Sequence, residues 1–278
     1  MSYETLVRAD VLARELAAGG AGWLVIDCSF DLADRGHIPG ARHADLEEVL
    51  SGAKTGVNGR HPLPDRQAFV QAMRVFGADD HTQVVAYDNA GGMFAARLWW
   101  LLRWAGHRAA AVLDGGLAAW RAAGLDVETD PPAQPAPGRF SAREPLVRTV
   151  AYNALRAGLD SGDHLVMDAR AADRFRGENE TLDPLGGHIP GARNRFFRDN
   201  LTEAATFRAP EELRRAFEAL ADGVPVRQWV NQCGSGVTAC HTLLAQAVAG
   251  LPGAALYPGS WSEWSAQAGA PVATGPRG

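Results

Sequence analysis

The chain has 278 residues, of which 46% are hydrophobic, and a formal net charge of −5. That length carries one large domain or two of ordinary size. The acidic balance speaks against a nucleic-acid partner. The N-terminal stretch lacks an apolar signal core and no apolar run is long enough for a bilayer span, so a cytoplasmic protein without membrane contact is expected.

Taken in order, the first half alternates short apolar runs with helical patterns. Leu24-Val25-Ile26-Asp27 reads as a strand, and Cys28 after it as a core residue. The segment Arg35-Gly36-His37-Ile38-Pro39-Gly40-Ala41-Arg42 is a rigid turn, with His37 a hydrogen-bonding loop residue. Asn58-Gly59-Arg60-His61-Pro62-Leu63-Pro64 follows, a loop with a His held near two prolines. Residues 84–87 read as a strand and 94–104 as an apolar-rich helix. Ala110-Ala111-Val112-Leu113 is a further strand and 117–123 a short helix. Residues 130–138, rich in proline, can sustain neither helix nor central strand and are expected to be an extended surface connector.

The second half repeats the first. Leu165-Val166-Met167-Asp168 answers the strand at 24–27. Gly186-Gly187-His188-Ile189-Pro190-Gly191-Ala192-Arg193 answers the His37 turn, and His188 is given the same bland role. Tyr257-Pro258-Gly259-Ser260-Trp261-Ser262-Glu263-Trp264 answers Leu113-Asp114-Gly115-Gly116-Leu117-Ala118-Ala119-Trp120. Two domains of roughly 130 residues follow, at 1–130 and 148–278, with 131–147 between them. Alternating β and α elements imply in each a mostly parallel sheet with helices on both faces. Such α/β folds place their sites beyond the carboxyl ends of the strands.

One such end is chemically distinctive. Residues 224–230 read as a buried strand, and Thr238–Val248 as a helix. Between them stands Gln232-Cys233-Gly234-Ser235-Gly236-Val237. Glycines at 234 and 236 let the backbone curl so that loop N–H groups converge, and the helix N-terminus adds partial positive charge. Both favour a thiolate, which makes Cys233 the candidate nucleophile. Cys240 shares a helix face with Leu243, Leu244 and Ala247 and reads as packing. Aligning the repeats sets Asp88 at the position of Cys233, so the first copy is expected to be silent. With three cysteines, no CxxC pair and no metal-ligand spacing, neither a disulfide framework nor a bound metal is expected.

Cys233-Gly234-Ser235-Gly236-Val237-Thr238-Ala239-Cys240 resembles the active loop of the two-domain rhodanese family of sulfurtransferases, and its Gly-Ser-Gly form is most similar to the 3-mercaptopyruvate sulfurtransferases. The resemblance covers nearly the whole chain. It implies two tandem rhodanese-like domains and an enzyme that carries sulfur on Cys233 as a persulfide. No metal or organic cofactor is implied. The donor would be a small anion, 3-mercaptopyruvate or thiosulfate, and the acceptor cyanide, a thiol or reduced thioredoxin.

The family pattern also implies binding residues. The loop positions Gly234, Gly236, Val237 and Thr238 would surround the donor. Arg174, in Arg174-Phe175-Arg176-Gly177, falls where the family binds its anionic donor, and a guanidinium fork suits a carboxylate. His61 would pair with Ser235 in a proton relay completed by Asp45, Glu47 or Glu48. The family's second Arg, in a Glu-Pro-Arg stretch, is replaced here by Glu180-Thr181-Leu182-Asp183-Pro184. That leaves Arg176, Arg193 or Arg195 to supply its charge. The loop is small and neutral, so mercaptopyruvate is expected to exceed thiosulfate, by less than two clamping arginines would give. A phosphatase is disfavoured because no Arg lies between Cys233 and Gly250. A persulfide carrier without turnover is the alternative from another functional class.

Overall fold

Two five-stranded parallel sheets organise the chain in a computed structural model that describes residues 2–31 and 36–276. In the first, β1 (Leu6–Val7), β2 (Trp23–Asp27), β3 (Arg42–His43), β4 (Gln83–Tyr87) and β5 (Ala110–Leu113) lie in the order β1-β5-β4-β2-β3. In the second, β6 (Arg148–Thr149), β7 (Leu165–Asp168), β8 (Arg193–Asn194), β9 (Trp229–Gln232) and β10 (Ala255–Leu256) repeat that order as β6-β10-β9-β7-β8. The helices of the first sheet are α1 (Ala9–Ala17), α2 (Arg66–Val75), α3 (Ala95–Trp104) and α4 (Gly116–Ala122). Those of the second are α5 (Tyr152–Ser161), α6 (Ala172–Arg176), α7 (Pro210–Ala221), α8 (Thr238–Val248) and α9 (Ser260–Trp264). The expected α/β class with two tandem parallel sheets is what the backbone forms.

Apolar periodicity explains most of these elements. The central strands β4 and β9 are buried along their whole length, as central strands of parallel sheets covered on both faces are, even where β9 ends in Asn231 and Gln232. Helix α8 is buried along most of its length, so its sequence carries little amphipathic contrast. The strand expected at 224–230 starts later: Val226–Gln228 form a 3-10 turn after Pro225, and the extended run is Trp229–Gln232. Proline fixes φ and withholds an N–H, so it delays entry into the ladder.

By spatial contact the chain forms two units, Met1–Gly52 with Pro64–Leu146 and Glu203–Phe207, and Ala53–Leu63 with Val147–Thr202 and Arg208–Gly278. Three segments depart from the sequence boundaries, and one of them, residues 203–207, belongs to the first unit. Residues 53–63 belong to the second unit. Most of the 131–147 connector lies on the first, where Gly138 N–H donates to Arg74 O at 2.8 Å and Phe140 N–H to Ala78 O at 3.0 Å. It has no strand or helix but is tied down, and Phe140 is fully buried.

The two repeated turns are structural. His37 contacts the carbonyls of Ile38 and Asp130, each at 2.9 Å. His188 lies 2.8 Å from Phe175 O and stacks on the Phe175 ring at 3.7 Å. Arg35 of the repeated segment lies outside the described residues. Among the described residues no helix is long and apolar enough to cross a membrane.

Candidate active site

In the second unit β9 is flanked by β10 and β7, with Val230 opposite Ala255 and Val166, and Gln232 opposite Asp168. The chain leaves the carboxyl end of β9 at Cys233, which is 2% exposed. The backbone then curls through Gly236, at φ +81° and against the carbonyl of Pro258, where a side chain would overlap. This turn aims two donors at the sulfur. The N–H groups of Ser235 and Gly236 lie 3.4 and 3.1 Å from Cys233 Sγ. Val237 and Thr238 open α8 just behind, but their N–H groups do not bond the sulfur. Cys240 is buried in α8, with its Sγ 3.2 Å from Gly236 O.

The first turn of α9 supports the Cys loop from behind. Cys233 N–H donates to Ser260 Oγ at 3.1 Å, while Trp261 N–H donates to Cys233 O and Ser262 N–H to Gly234 O, both at 2.9 Å. Ser260 is fully buried at φ +54°, in the left-handed region that a non-glycine residue rarely enters. Its counterpart in the first half, Gly116, has φ +56°. The serine accepts the strained conformation and gains an acceptor for the nucleophile's own N–H. A serine replacing a glycine between the repeats was the available sequence signal for this residue.

Two further groups converge on the loop from residues 53–63. His61 Nδ1 lies 2.7 Å from Ser235 Oγ, so the expected pair is in contact. Of the three acids considered for it, Asp45 already accepts the N–H groups of Glu47 and Glu48 at 2.7 and 3.0 Å. Arg60, which the sequence reading passed over, precedes His61 and is held by its N–H on Ser262 Oγ at 3.0 Å. Its guanidinium forms an ion pair with Asp183. A Cβ built on Gly234 would lie 2.8 Å from Arg60 Nη2 and 3.5 Å from Arg174 Nη1. Both guanidinium groups therefore face residue 234.

Arg174 is anchored by buried carboxylates. Its Nη2 lies 2.8 Å from both oxygens of Glu180 and 3.4 Å from Asp183 Oδ2. Burial opposes the ionisation of Glu180, but the Leu182 N–H and the Arg174 guanidinium outweigh it and hold the carboxyl below its ordinary value. Behind this pair Arg170 donates to Asp168 at 2.7 Å and lies over the Trp261 ring at 4.6 Å. Burial works against its charge, yet Asp168 and Glu180 keep the guanidinium above its ordinary value. The other expected cations are engaged elsewhere: Arg176 with Glu178 at 2.6 Å, Arg193 with Leu220 O, and Arg195 with Asn200 Oδ1 at 2.8 Å. None of the three supplies the second charge at the Cys loop. Arg60 stands there instead.

A model of the rhodanese-like domain matches the chain twice, over residues 9–123 and 151–267. The chain belongs to the rhodanese family. It is 46% identical to a probable 3-mercaptopyruvate sulfurtransferase of Pseudomonas aeruginosa, over 99% of this chain and 100% of that one. It is 35% identical to the thiosulfate sulfurtransferase of Bos taurus, over 94% of this chain and 92% of that one. The crystal structure of SseA from Escherichia coli, described as a 3-mercaptopyruvate sulfotransferase, superposes with a TM-score of 0.79 at 32% identity, covering 94% of this chain and all of that one.

The first rhodanese domain carries the same loop in another chemical form. Asp88 follows β4 where Cys233 follows β9. Its Oδ1 accepts the N–H groups of Ala90 and Gly92, both at 2.8 Å, and its Oδ2 those of Phe94 and Ala95 at 2.8 and 2.9 Å. Four donors of the anion cradle thus close on the loop's own carboxylate. Nearby, burial and the carboxylates of Asp88 and Asp27 push the Cys28 thiol well above its ordinary value.

Proposed function

We propose that this rhodanese is a sulfurtransferase that moves sulfur from 3-mercaptopyruvate, in preference to thiosulfate, onto Cys233 and then to a thiol or cyanide acceptor. The observation that carries the reading is the pair of N–H groups on Cys233 Sγ at a strand–helix corner, beside two guanidinium groups. Donors fixed in place stabilise sulfur anions without reorganising during the reaction.

In the first step the Cys233 thiolate attacks the donor sulfur. The sulfur–carbon bond breaks, and its electron pair passes to the methylene carbon as the enolate of pyruvate. The proton given up by the donor's thiol returns to that carbon through Ser235 and His61, leaving pyruvate and a Cys233 persulfide. Gly234 keeps the approach open, and Gly236, Val237 and Thr238 shape the loop around the donor. In the second step the acceptor attacks the outer sulfur and regenerates the thiolate, the ping-pong course of covalent catalysis. Cyanide, small thiols and reduced thioredoxin are acceptors of suitable chemistry.

The Ser235–His61 contact favours mercaptopyruvate. Cleaving its carbon–sulfur bond requires a proton at carbon, whereas thiosulfate releases sulfite without one. Relatives named for each substrate support thiosulfate as the second donor. The first domain is catalytically silent because Asp88 fills its own cradle, and a reducing, cytoplasmic setting suits a nucleophile that must stay a thiolate.

The test combines intact mass with steady-state turnover on both donors. Brief exposure to donor should add one sulfur, on the peptide that contains Cys233, and Cys233→Ser should neither load nor turn over. Two added sulfurs would contradict the silent first domain. A chain that loads once and stalls with every acceptor would be a carrier, and a higher kcat/KM for thiosulfate would reverse the donor assignment.

A further inference from the structure

We propose that Ser262 is a positioning residue for the His61–Ser235 relay: its hydroxyl fixes residues 59–61 against the Cys loop and so holds the imidazole at Ser235. The inference rests on the sulfurtransferase reading and deepens it by naming a residue of α9 that acts on proton return through His61.

Ser262 is buried, and its backbone and side chain reach the two partners of the relay separately. Its N–H donates to Gly234 O at 2.9 Å, one residue before Ser235. Its hydroxyl donates to Gly259 O at 3.1 Å, which fixes the rotor, and the same oxygen accepts the Arg60 N–H at 3.0 Å, one residue before His61. Between these flanking contacts His61 Nδ1 meets Ser235 Oγ at 2.7 Å. The approach is close enough to require glycine at position 59. Gly59 has φ +87°, and a Cβ there would lie 2.7 Å from Gly259 O and 3.1 Å from Ser262 Oγ. All of these residues belong to the second unit.

The hydroxyl is not needed to build the helix or to suspend the loop. In the first half the repeat sets Ala118 at this position, and Leu117 N–H still donates to Asp88 O at 3.2 Å, as Trp261 N–H does to Cys233 O at 2.9 Å. Backbone groups alone therefore tie each loop to its helix. What Ser262 adds is an acceptor for Arg60. The neighbouring ties are less direct: Gln267 Nε2 holds Val57 O at 3.0 Å, four residues before His61, and Asp183 holds Arg60 through its side chain. Ser262 holds the backbone one peptide from the imidazole.

Proton transfer falls off steeply when donor and acceptor are displaced. Ser262→Ala removes both hydroxyl bonds and keeps the N–H on Gly234 O, so the relay is disturbed and the nucleophile is not. On the full chain, kcat for 3-mercaptopyruvate should fall by about tenfold. Alkylation of Cys233 by iodoacetamide should stay near the parental rate, because the thiolate displaces iodide and no proton returns to carbon. In a His61→Gln background the same change should cost little more. The NMR signal of the His61 ring, identified by its loss in His61→Gln, should move in Ser262→Ala towards its position in Ser235→Ala. Ser262→Thr keeps the hydroxyl and should stay close to the parent in turnover and in the ring signal.

Equal slowing of turnover and alkylation in Ser262→Ala would show support of the Cys loop and overturn the proposal. An undiminished loss in the His61→Gln background, or a parental ring signal in Ser262→Ala, would overturn it as well. If the parent fails to turn over 3-mercaptopyruvate while the ring signal still moves, the sulfurtransferase reading falls and the placement of His61 by Ser262 stands.

Discussion

Replacing Gly236 by Ala should damage the site more than replacing Gly234, although both glycines flank Ser235. Gly236 has φ +81°, and a Cβ there would overlap the Pro258 carbonyl oxygen, with the carbonyl carbon at 3.2 Å. That obstacle is backbone and cannot swing aside. The left-handed conformation costs an L-residue about 1–2 kcal/mol, and relieving the overlap costs a further ~1–3 kcal/mol. The same displacement draws the Gly236 N–H away from Cys233 Sγ, which it holds at 3.1 Å. A hydrogen bond to a charged group is worth about 1.5–3 kcal/mol, so persulfide formation should slow by roughly ten- to a hundredfold. Gly234 lies outside the left-handed region, and its Cβ would meet only the side-chain ends of Arg60 and Arg174, at 2.8 and 3.5 Å, and no backbone atom. Gly234→Ala should therefore load sulfur at a rate much closer to the parent and show its effect in donor KM. Rapid-quench loading followed by intact mass, alongside thermal unfolding, separates the two. The reasoning is refuted if Gly236→Ala loads at the parental rate with an unchanged Tm, or if Gly234→Ala is the more damaging change.

Both variants at Ser260 lose the acceptor for the Cys233 N–H, but only Ser260→Gly relieves the φ +54° strain. Denaturant unfolding should rank the parent above Ser260→Gly, and Ser260→Gly above Ser260→Ala by about 1 kcal/mol; the reverse order for the two variants would exclude strain at this residue. Glu180 offers a pH test. Its folded carboxyl titrates below the ordinary value of 4.5, so its contribution is complete above 4.5 and is lost as pH falls through the lower folded value. The stability margin of the parent over Glu180→Gln, read from urea midpoints, should be widest near neutrality and shrink below pH 4.5; a margin that grew with acidification would contradict the Arg174 pairing.

Much of the molecule was legible locally. Helix α8 and strand β7 have the bounds their apolar patterns predict, because helix and strand periods are properties of adjacent residues. The Cys233 loop could be read the same way, since glycines at 234 and 236 dictate its curl, and the repeat pointed to Asp88 as its counterpart. That Asp88 collects four backbone donors needed coordinates, because the turn of residues 89–95 decides which N–H groups face inward. The path of residues 53–63 was decided by tertiary structure alone. Sequence position assigns them to the first half, yet packing of Gly59 on Gly259 and the Arg60–Ser262 bond join them to the second sheet. A second arginine was expected at Arg176, Arg193 or Arg195, near Arg174 in the chain, whereas the second guanidinium facing residue 234 is that of Arg60. Arg60 is anchored by groups remote in sequence, its guanidinium by Asp183, 123 residues away, and its backbone N–H by Ser262, 202 away. No local period or turn preference encodes such a pairing, which exists only once the second sheet has brought α9 and the Asp183 loop together.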